Sequence, residues 1–567
     1  MSNTLALKPY IELVRTHCNK LSSSELVDLV CSIAQKVPTK ERQSFLEKLE
    51  TTSTTPSDPS DSEEKVDEII ERIEEIIEDI LDRQKSIDDG SYYEIYEDYS
   101  NYYNHEPDIV SLEQREELED VFTDADLLFF DGELDSARKV YQQLFSIFQH
   151  HIELNLYYEI DRQDIDINWQ ETLARYCRSV YETASAADRT QEVLDAMEVD
   201  YPVAGQYNDP YEKWLPSLQD VYNARPGDIA GWNDFLQGIQ TALQRKSDNR
   251  AVLLCLEAVH RTDGFQGLAA AVRQKKSPVG YLYWLNQLEE EVLWEKTAQA
   301  ALEALDSMPP DRLRTAAAAA LIRAGEQTEK KDLVLYGKQE QFFSEPNGQH
   351  LNCWLEEARK QEDKEEMLHT ALAFLNNRLG SSQKDKSWEE NRFFLLKIKV
   401  LLLLGRLEDA SAEIDGKAVV GWSNTKQTTA VVYTCILLAL VRCSVKAQTI
   451  HGLASSYLAL SDEKMIADEI LQHLAEPAPA TQKEWFQFAE RMTQARIDHI
   501  VFNKYRKAYA RAAEVLGGYM EALILNDQKD QAVEFLHLNR NQKYNRFSAF
   551  RAEIQRVIGS SPLLAGL

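Results

Sequence analysis

The residues that could carry out chemistry fall into small groups, and none of them completes a catalytic site. His350 and Cys353 lie three positions apart and could face each other as a base and a thiol nucleophile. No oxyanion element or orienting carboxylate accompanies them, so we interpret Cys353 as a packed thiol beside a surface histidine. His150, His151 and Glu153 are metal-binding residue types. Adjacent residues on a helix point apart, however, and do not easily bind one ion.

The stretch from Asp164 to Asn168 begins like a calcium-binding loop. Trp169 replaces the glycine that the tight turn of such a loop requires, and Arg175 replaces the bidentate glutamate. The motifs of P-loop proteins, dinucleotide-binding proteins, zinc proteases and serine hydrolases do not occur in the sequence. We therefore expect a protein that is not an enzyme, with no cofactor, no metal site and no small-molecule substrate.

Charge is distributed unevenly along the 567 residues, whose formal net charge is -32. Between Asp58 and Asp135 there are 29 acidic and five basic residues, so this region carries most of the excess. From Arg491 onward, 12 basic residues exceed seven acidic ones. A nucleic-acid partner for the whole molecule is disfavoured, because neutralising phosphates requires clustered Lys and Arg.

The most unusual composition lies in residues 88–108, where six tyrosines stand among acidic residues. Tyr92, Tyr96, Tyr99 and Tyr103 follow offsets of four, three and four, which would place them on one face of a helix. Tyrosine is amphipathic and loses little entropy when it is anchored, so this row is a candidate protein-binding surface. Two other interpretations stay open: the row caps a neighbouring helical array, or the acidic segment mimics the charge of nucleic acid.

Two C-terminal stretches, residues 502–511 and 540–551, interleave basic and aromatic residues. This mixture could bind nucleic acid through phosphate contacts and base stacking. It also suits helices that pack their aromatic residues inward with Lys and Arg at the rim, or an electrostatic contact with the acidic N-terminal region. The candidate partner-binding residues in these stretches are Lys504, Arg506, Arg540, Lys543 and Arg546.

The composition favours helices, since Gly and Pro number only 21 and 16. Residues 118–148 predict two amphipathic helices folded back on each other at Gly132. Ala137 lies five residues after this glycine, Tyr141 four residues after Ala137, and Leu144 three residues after Tyr141. The glycine can adopt the backbone conformation that a tight turn requires, and the small alanine allows two helices to approach closely.

This pattern recurs loosely in three later places, with Gly or Asp at the turn and Ala five residues on: Gly405–Ala410–Ile414, Asp462–Ala467–Leu471–Leu474 and Asp527–Ala532–Leu536. In its turn and second helix it resembles the tetratricopeptide repeat (TPR), although the regular spacing of about 34 residues is absent. The resemblance implies an all-α fold, an irregular TPR-like α-solenoid of stacked helical hairpins. The order of elements is also loosely similar to the helical regions that accompany bacterial SWIM zinc fingers, without the Cys/His ligand set of the finger.

Residues 63–85 predict a strongly acidic helix with an apolar stripe. The stripe fits either a short coiled coil that binds a partner or an ordinary bundle helix. It consists of Val66, Ile70, Ile73, Ile77 and Ile80.

The predicted organisation begins with a small helical unit joined to the rest by a flexible linker, because residues 51–62 are polar and contain no apolar residue. An acidic helix and the Tyr-rich segment follow, and then three helical parts, the last with a mildly basic end. The predicted ranges are 1–50, 51–62, 63–110, 111–225, 226–390 and 391–567.

Seven cysteines are scattered singly, so neither a zinc site nor a disulfide framework is predicted. No secretory signal is present, and the longest apolar run, residues 431–441, is too short to span a membrane. We expect a cytoplasmic protein without membrane contact. Its predicted function is that of a non-enzymatic scaffold or adaptor that binds one or more proteins. The alternative is a regulatory protein that acts on a nucleic-acid-associated complex through its basic C-terminal end or acidic mimicry.

Overall fold

The computed structural model describes residues 7–34, 59–92, 108–149, 152–197, 215–380, 388–414, 427–458, 464–475 and 482–567. The chain divides into two compact units, Met1–Trp284 and Leu285–Leu567, which we call the N-terminal and C-terminal units. This division falls inside the predicted middle part, residues 226–390. In the described ranges every extended regular element is helical. The predicted fold class, an all-α, irregular TPR-like α-solenoid of stacked helical hairpins, is confirmed within each unit.

The helices of the N-terminal unit follow one another with short connections. They are α1 (Leu7–Cys18), α2 (Ser23–Ala34), α3 (Pro59–Asp88), α4 (Leu112–Asp131), α5 (Leu134–Gln149), α6 (Trp169–Thr183), α7 (Arg189–Ala196), α8 (Leu218–Asn223), α9 (Trp232–Leu243) and α10 (Asn249–Lys275), and α11 (Pro278–Glu290) spans the division. Helix α10 is broken at Gly264, whose backbone is not helical. Because α3 begins at Pro59, the last four residues of the predicted linker are helical, and residues 51–58 lie outside the described ranges.

The C-terminal unit continues the same succession of antiparallel helices. They are α12 (Trp294–Ser307), α13 (Arg312–Gln327), α14 (Lys331–Ser344), α15 (Gly348–Lys360), α16 (Lys364–Gly380), α17 (Trp388–Leu403), α18 (Leu407–Ala412), α19 (Gln427–Leu440), α20 (Gln448–Tyr457), α21 (Lys464–Leu474), α22 (Gln482–Phe502), α23 (Tyr509–Leu525), α24 (Lys529–His537) and α25 (Ser548–Ser560). From α12 to α17 each helix packs against the next one in sequence.

The turn predicted at Gly132 is present, and its geometry recurs through the chain. Gly132 has φ +89, its N–H donates to Phe129 O at 3.2 Å, and the Glu133 N–H donates to Leu128 O at 3.0 Å. This pair of bonds is the Schellman motif, which satisfies carbonyls at the end of a helix and reverses the chain. The same pair, with a positive φ, closes the turns at Val292, Glu329, Glu362, Gly405, Arg442, Lys504 and Asp527.

The offset of five residues seen in the sequence follows from this geometry. In all eight turns the residue five positions after the positive-φ residue is buried. The reversal therefore brings this position of the next helix against the preceding one, whichever side chain it carries. These residues are Ala137, Thr297, Val334, Met367, Ala410, Ala447, Tyr509 and Ala532. The predicted turns at Gly405 and Asp527 are thus confirmed, and Asp462 lies outside the described residues.

Close helix contacts explain the alanine-rich helix α13. Asp311 caps this helix, because its Oδ1 accepts the Arg314 N–H at 3.0 Å. A Cβ added at Gly337 of α14 would lie 2.6 Å from Ile322 Cγ1 and 3.1 Å from Ala318 O. The two helices therefore approach so closely that only a residue without a side chain fits at this contact.

The acidic helix α3 is a bundle helix. Its apolar stripe packs against α4 and α5 inside the N-terminal unit, so it is not available to a partner. The buried apolar residues of α3 are Val66, Ile69, Ile73, Ile76 and Ile80. Ile70 and Ile77 of the predicted stripe are only partly buried against the same core.

Buried carboxylates tie helices together in both units. Glu257 accepts the N–H groups of Leu218 and Gln219 at 2.9 and 2.8 Å, which caps the start of α8. Glu521 accepts the N–H groups of Thr449 and Ile450 at 3.0 and 3.1 Å at the start of α20, and the hydroxyl of Ser561 at 2.6 Å. Each carboxylate thus accepts hydrogen bonds from backbone N–H groups at the start of a helix that lies far from it in the sequence.

A third carboxylate, Glu357 on α15, is paired with cations. Lys338 of α14 and Lys360 donate to its Oε2 at 3.0 and 3.1 Å, and Gln361 donates to its Oε1 at 3.3 Å. Burial raises the pKa of Glu357, but these hydrogen bonds and the charge of Lys338 outweigh it and leave the pKa below its ordinary value of 4.5.

Val292 gives a test of the turn geometry, because a β-branched side chain in the left-handed region costs about 1–2 kcal/mol. Its φ is +57 and its side chain is 64% exposed, so the substitution Val292→Gly removes strain and few contacts. We expect a gain in unfolding free energy of about 1 kcal/mol. The midpoint of thermal unfolding should rise by about 2 °C.

Two substitutions in the same unit serve as controls for this test. Gly405→Val places the same side chain at the same turn position and should lower the midpoint. Leu302→Gly, at an exposed position inside α12, should also lower it, by about 1 kcal/mol of helix propensity. A lower midpoint for Val292→Gly would show that the turn does not carry this strain.

The lowered pKa of Glu357 predicts that the stability of the protein depends on pH. Its pKa is lowered in the folded state, so its contribution is present above pH 4.5 and is lost as pH falls through the folded pKa. We expect Glu357→Gln to lower the free energy of urea unfolding by about 2 kcal/mol near neutral pH. The difference from the unsubstituted protein should shrink as the pH is lowered below 4.5. A difference that stays constant with pH would contradict this role.

Candidate partner-binding surface

The C-terminal basic and aromatic stretches meet at the end of α24. Helix α24 ends at His537, and the chain continues as a π-helical turn, residues Leu538–Lys543. Such turns hold one extra residue and are frequent at functional sites. Asn539 is buried inside the turn, where its Nδ2 donates to Phe535 O at 3.0 Å and its Oδ1 has no hydrogen-bond partner.

Asp498 of α22 fixes the end of the π-helical turn. The Lys543 ammonium lies 2.7 Å from Asp498 Oδ1, and the Gln494 amide Nε2 donates to the same oxygen at 2.8 Å. The buried Tyr544 donates its hydroxyl to Asp498 as well. The Lys543 ammonium also lies 5.7 Å from the ring centroids of Phe502 and Tyr544. Lys543 is therefore held by one carboxylate and two aromatic rings.

The aromatic residues of the two stretches divide into buried and exposed groups. Tyr509, Tyr544 and Phe550 are buried, and the ring centroid of Phe550 lies 5.8 Å from that of Tyr509 and 5.7 Å from that of Tyr544. Their alternation with basic residues therefore reflects inward packing with Lys and Arg at the rim. Phe502 and Tyr505 are 54% and 42% exposed and remain accessible to a partner.

An open cleft of about 510 Å³ lies between α22 and the end of α24 with its π-helical turn. Its apolar floor consists of Phe535 and Leu538, and Leu538 is 39% exposed. Lys543 lines the cleft beside it. The α22 side supplies Gln487, Glu490, Arg491 and Gln494.

Of the residues predicted from the sequence, the cleft contains Lys543. Lys504, Arg506 and Arg546 are exposed and Arg540 is half-buried, and none of these four lines the cleft. The sequence interpretation missed the α22 residues. Gln487, Arg491, Gln494 and Asp498 are spaced by four, three and four, so a polar stripe at helical spacing was the available signal.

The Tyr-rich segment is described only at its ends. Tyr92 is half-buried, with the Arg83 guanidinium 4.6 Å from its ring centroid. Arg83 Nε also donates to Asp108 O at 2.8 Å, so one arginine contacts both ends of the segment. Tyr96, Tyr99 and Tyr103 lie outside the described residues, and their role as a binding row stays a prediction.

The residue groups considered for chemistry have structural partners. His350 Nδ1 lies 2.9 Å from Glu345 O and 3.1 Å from Asn347 Nδ2 at the start of α15. Asn168 caps α6 by accepting the Glu171 N–H at 3.3 Å. His150 and His151 lie outside the described residues. Among the residues that the structure describes, no group of three His, Cys, Asp or Glu side chains is placed to hold a metal ion.

A second cleft, of about 810 Å³, lies beside α9 and α10 in the N-terminal unit. Three cations line it, Arg245, Lys246 and Lys275. Lys275 donates to the carbonyls of Leu243 and Gln244 at 3.2 and 3.1 Å, which closes the C-terminal end of α9. Burial raises the pKa of the Cys255 thiol, which also lines this cleft. We favour the C-terminal cleft as the candidate surface because it places the exposed apolar residue Leu538 beside its cations.

No family model matches the sequence, and no curated protein matches it. Among solved structures, the chain is similar to one described as a human IFIT1 dimer with m7Gppp-AAAA. The two are 12% identical, the alignment covers 78% of this chain and 96% of that chain, and the TM-score is 0.18. At that TM-score the likeness supports no conclusion about fold or ligand. Within the described residues, no helix combines the length and apolar character needed to cross a membrane.

The contacts of Asp498 predict how much the stability of this surface depends on one carboxylate. We expect Asp498→Ala to lower the free energy of unfolding by about 2 kcal/mol, because the buried Tyr544 hydroxyl and the Gln494 amide lose their acceptor. Lys543→Ala should cost less than about 1 kcal/mol, because that partner is half-exposed. Urea unfolding of both variants measures the contrast, and equal losses would contradict it.

Proposed function

We propose that this protein is a non-enzymatic interaction scaffold or adaptor that binds at least one protein partner through its TPR-like helical surface. Its C-terminal unit supplies the main contact, formed by the cleft beside α22 and its rim. We place it in the cytoplasm, because its cysteines are scattered singly in the sequence. The resemblance to SWIM-associated helical regions stays a prediction.

The observation that carries this proposal is an exposed apolar residue beside cations at an open cleft. Leu538 is 39% exposed on the floor of the cleft, and Arg491 and Lys543 line the cleft with it. Apolar and aromatic residues mixed with arginine are typical of protein interfaces.

The buried carboxylates support a non-enzymatic role, because four of them already have structural partners. Glu257 and Glu521 cap helices, Glu357 is paired with lysines, and Glu469 is paired with Arg359 and Lys364. A catalytic acid or base needs a group that is free to exchange a proton with a substrate. These four carboxylates therefore serve the fold.

The alternative, action on a nucleic-acid-associated complex, is favoured by a different part of the same unit. Lys504, Arg506 and Lys507 are exposed next to Phe502 and Tyr505. Cations beside exposed rings are what single-stranded nucleic acid requires. Nuclease treatment separates this alternative from protein binding.

Affinity purification of the full chain from nuclease-treated extract of its native host tests the proposal. We expect a stoichiometric protein partner with the unsubstituted chain and its loss with the double variant Arg491→Glu/Leu538→Asp. The matched control is Lys529→Glu/Val533→Asp, which makes the same changes on α24 at exposed positions outside the cleft. Equal recovery by all three chains would contradict the assignment of the surface. Recovery that depends on nucleic acid would favour the alternative.

A further inference from the structure

The turn between α22 and α23, residues 502–507, presents both cations and aromatic rings to solvent. We infer that this turn binds single-stranded nucleic acid, with bases stacked on the rings and phosphates against the cations. This ligand is additional to the proposed protein partner. The inference does not depend on that partner, because none of the six described residues of the turn lines the cleft.

Two stretches without acidic residues meet at this turn. Residues 499–513 and 535–552 together contain eight Lys and Arg residues and no Asp or Glu. The ring centroids of Phe502 and Tyr544 lie 5.3 Å apart, and those of Tyr509 and Phe550 lie 5.8 Å apart, so the fold packs the two stretches against each other. The result is a basic surface on a chain whose formal net charge is -32. Local charge decides what binds there, because salt screens charges that are more than about 10 Å away.

The cations of the turn are available to a ligand. Three of the four acidic residues that border the two stretches have a cation of their own: Asp498 with Lys543, Glu514 with Arg511 and Glu553 with Arg556. The fourth, Glu534, is exposed on α24. Lys504, Arg506 and Lys507 are exposed, and none of them forms an ion pair with a described residue. They can therefore neutralise phosphates without first giving up another partner.

Two rings of the turn are open to bases. Phe502 and Tyr505 are 54% and 42% exposed. Each ring rests on a neighbouring side chain, Phe502 on Tyr544 and Tyr505 on His499, whose ring centroid is 5.8 Å from that of Tyr505. Exposed rings of this kind stack with bases of any type, because every base has a π-face.

The backbone of the turn is fixed before any ligand binds. The N–H groups of Lys504 and Tyr505 donate to carbonyls of α22, each at 3.1 Å. The Asn503 amide Nδ2 donates to His499 O at 2.7 Å, and the Ala508 N–H donates to Tyr505 O at 2.8 Å. A ligand therefore has to order the side chains of the turn but not its backbone, which lowers the cost of binding.

Single-stranded nucleic acid fits this combination better than other anionic ligands do. It offers phosphates along its length and base faces that are free to stack, so it uses the cations and the rings together. A duplex keeps its bases stacked inside the helix, and a glutamate peptide offers carboxylates without a π-face. An anionic membrane surface requires more apolar area than one phenylalanine and one tyrosine provide.

Fluorescence anisotropy tests the inference, with the purified full chain and a fluorescein-labelled oligouridylate of about ten nucleotides. We expect the logarithm of the binding constant to fall linearly with the logarithm of the salt concentration. In Arg506→Gln/Lys507→Gln this slope should become shallower by about 1.4, because each phosphate contact on a single strand contributes about 0.7. The matched control, Lys330→Gln/Lys331→Gln, removes two adjacent exposed cations from the turn between α13 and α14 and should leave the slope unchanged.

Leucine variants separate stacking from charge. Phe502→Leu and Tyr505→Leu keep an apolar side chain but remove the ring, and each should weaken binding by at least about fivefold. The slope with salt should stay that of the unsubstituted chain, since no phosphate contact is lost. Circular dichroism and thermal unfolding identify a variant that fails to fold, and Phe502→Met or Tyr505→Met then replaces it.

Three competing ligands define the chemistry. An RNA duplex of equal length, a glutamate peptide and phosphatidylserine vesicles should each displace the probe at least about tenfold less well than unlabelled oligouridylate does. The inference is overturned if the probe does not bind at low salt, or if the leucine variants and Arg506→Gln/Lys507→Gln all bind it like the unsubstituted chain. It is also overturned if any of the three competitors matches oligouridylate, and that competitor then identifies the class of ligand that the turn binds.

Discussion

Every hairpin turn of the Schellman type in the described chain depends on one backbone residue held at positive φ. At these eight positions the last helical carbonyls receive N–H donors and the chain reverses, so that the residue five positions on is buried. Only Gly132 and Gly405 adopt this conformation without a side chain. At the other turns a strain of about 1 kcal/mol is offset by packing of the next helix. The reversal is therefore a backbone constraint, and the side chains around it are free to vary.

Buried carboxylates supply the second constraint, because they connect helices that the turns alone do not bring together. Glu257 and Glu521 reach the first N–H groups of α8 and α20, which have no partner within their own helices. Glu521 also holds Ser561 at the end of α25, so a single side chain joins three segments of the C-terminal unit. An acidic chain of this kind uses part of its charge inside the fold and leaves its binding surface to the few exposed apolar and basic residues.

The sequence predicted those turns whose residue types signal a reversal. Gly132, Gly405 and Asp527 are glycine or a turn-forming residue, and the alanine five positions on is small enough to mark a contact. Val292, Glu329 and Glu362 carry no such signal, since valine and glutamate are ordinary in helices and the strain of their conformation appears only in the backbone. For the same reason the sequence does not show where α11 ends and α12 begins, whereas the structure separates them by the turn at Val292.

The binding surface was predictable only in part, for a related reason. Lys543 was found because it stands among aromatic residues, but the same pattern also drew attention to Tyr544 and Phe550, which are buried. A sequence in which basic and aromatic residues alternate does not show which side of a helix faces inward. Arg491 and Gln494 were not predicted from the sequence, because only the fold brings Leu538 to the same cleft.

At the π-helical turn, Leu538–Lys543, the proposed binding surface depends on the number of residues in the chain. Because it holds one residue more than an α-helical turn, removing any single residue from it would restore regular helix and rotate the C-terminal remainder of the chain by about 100°. Lys543 would then leave Asp498, and the cation at the rim would be lost although every side chain of the cleft was still encoded. Apart from Leu538 and Lys543, exposed residues of this segment can therefore change in type, whereas the number of residues in the segment cannot change. Among related chains, a deletion of one residue here would indicate that the proposed surface is lost even where all of its side chains are retained.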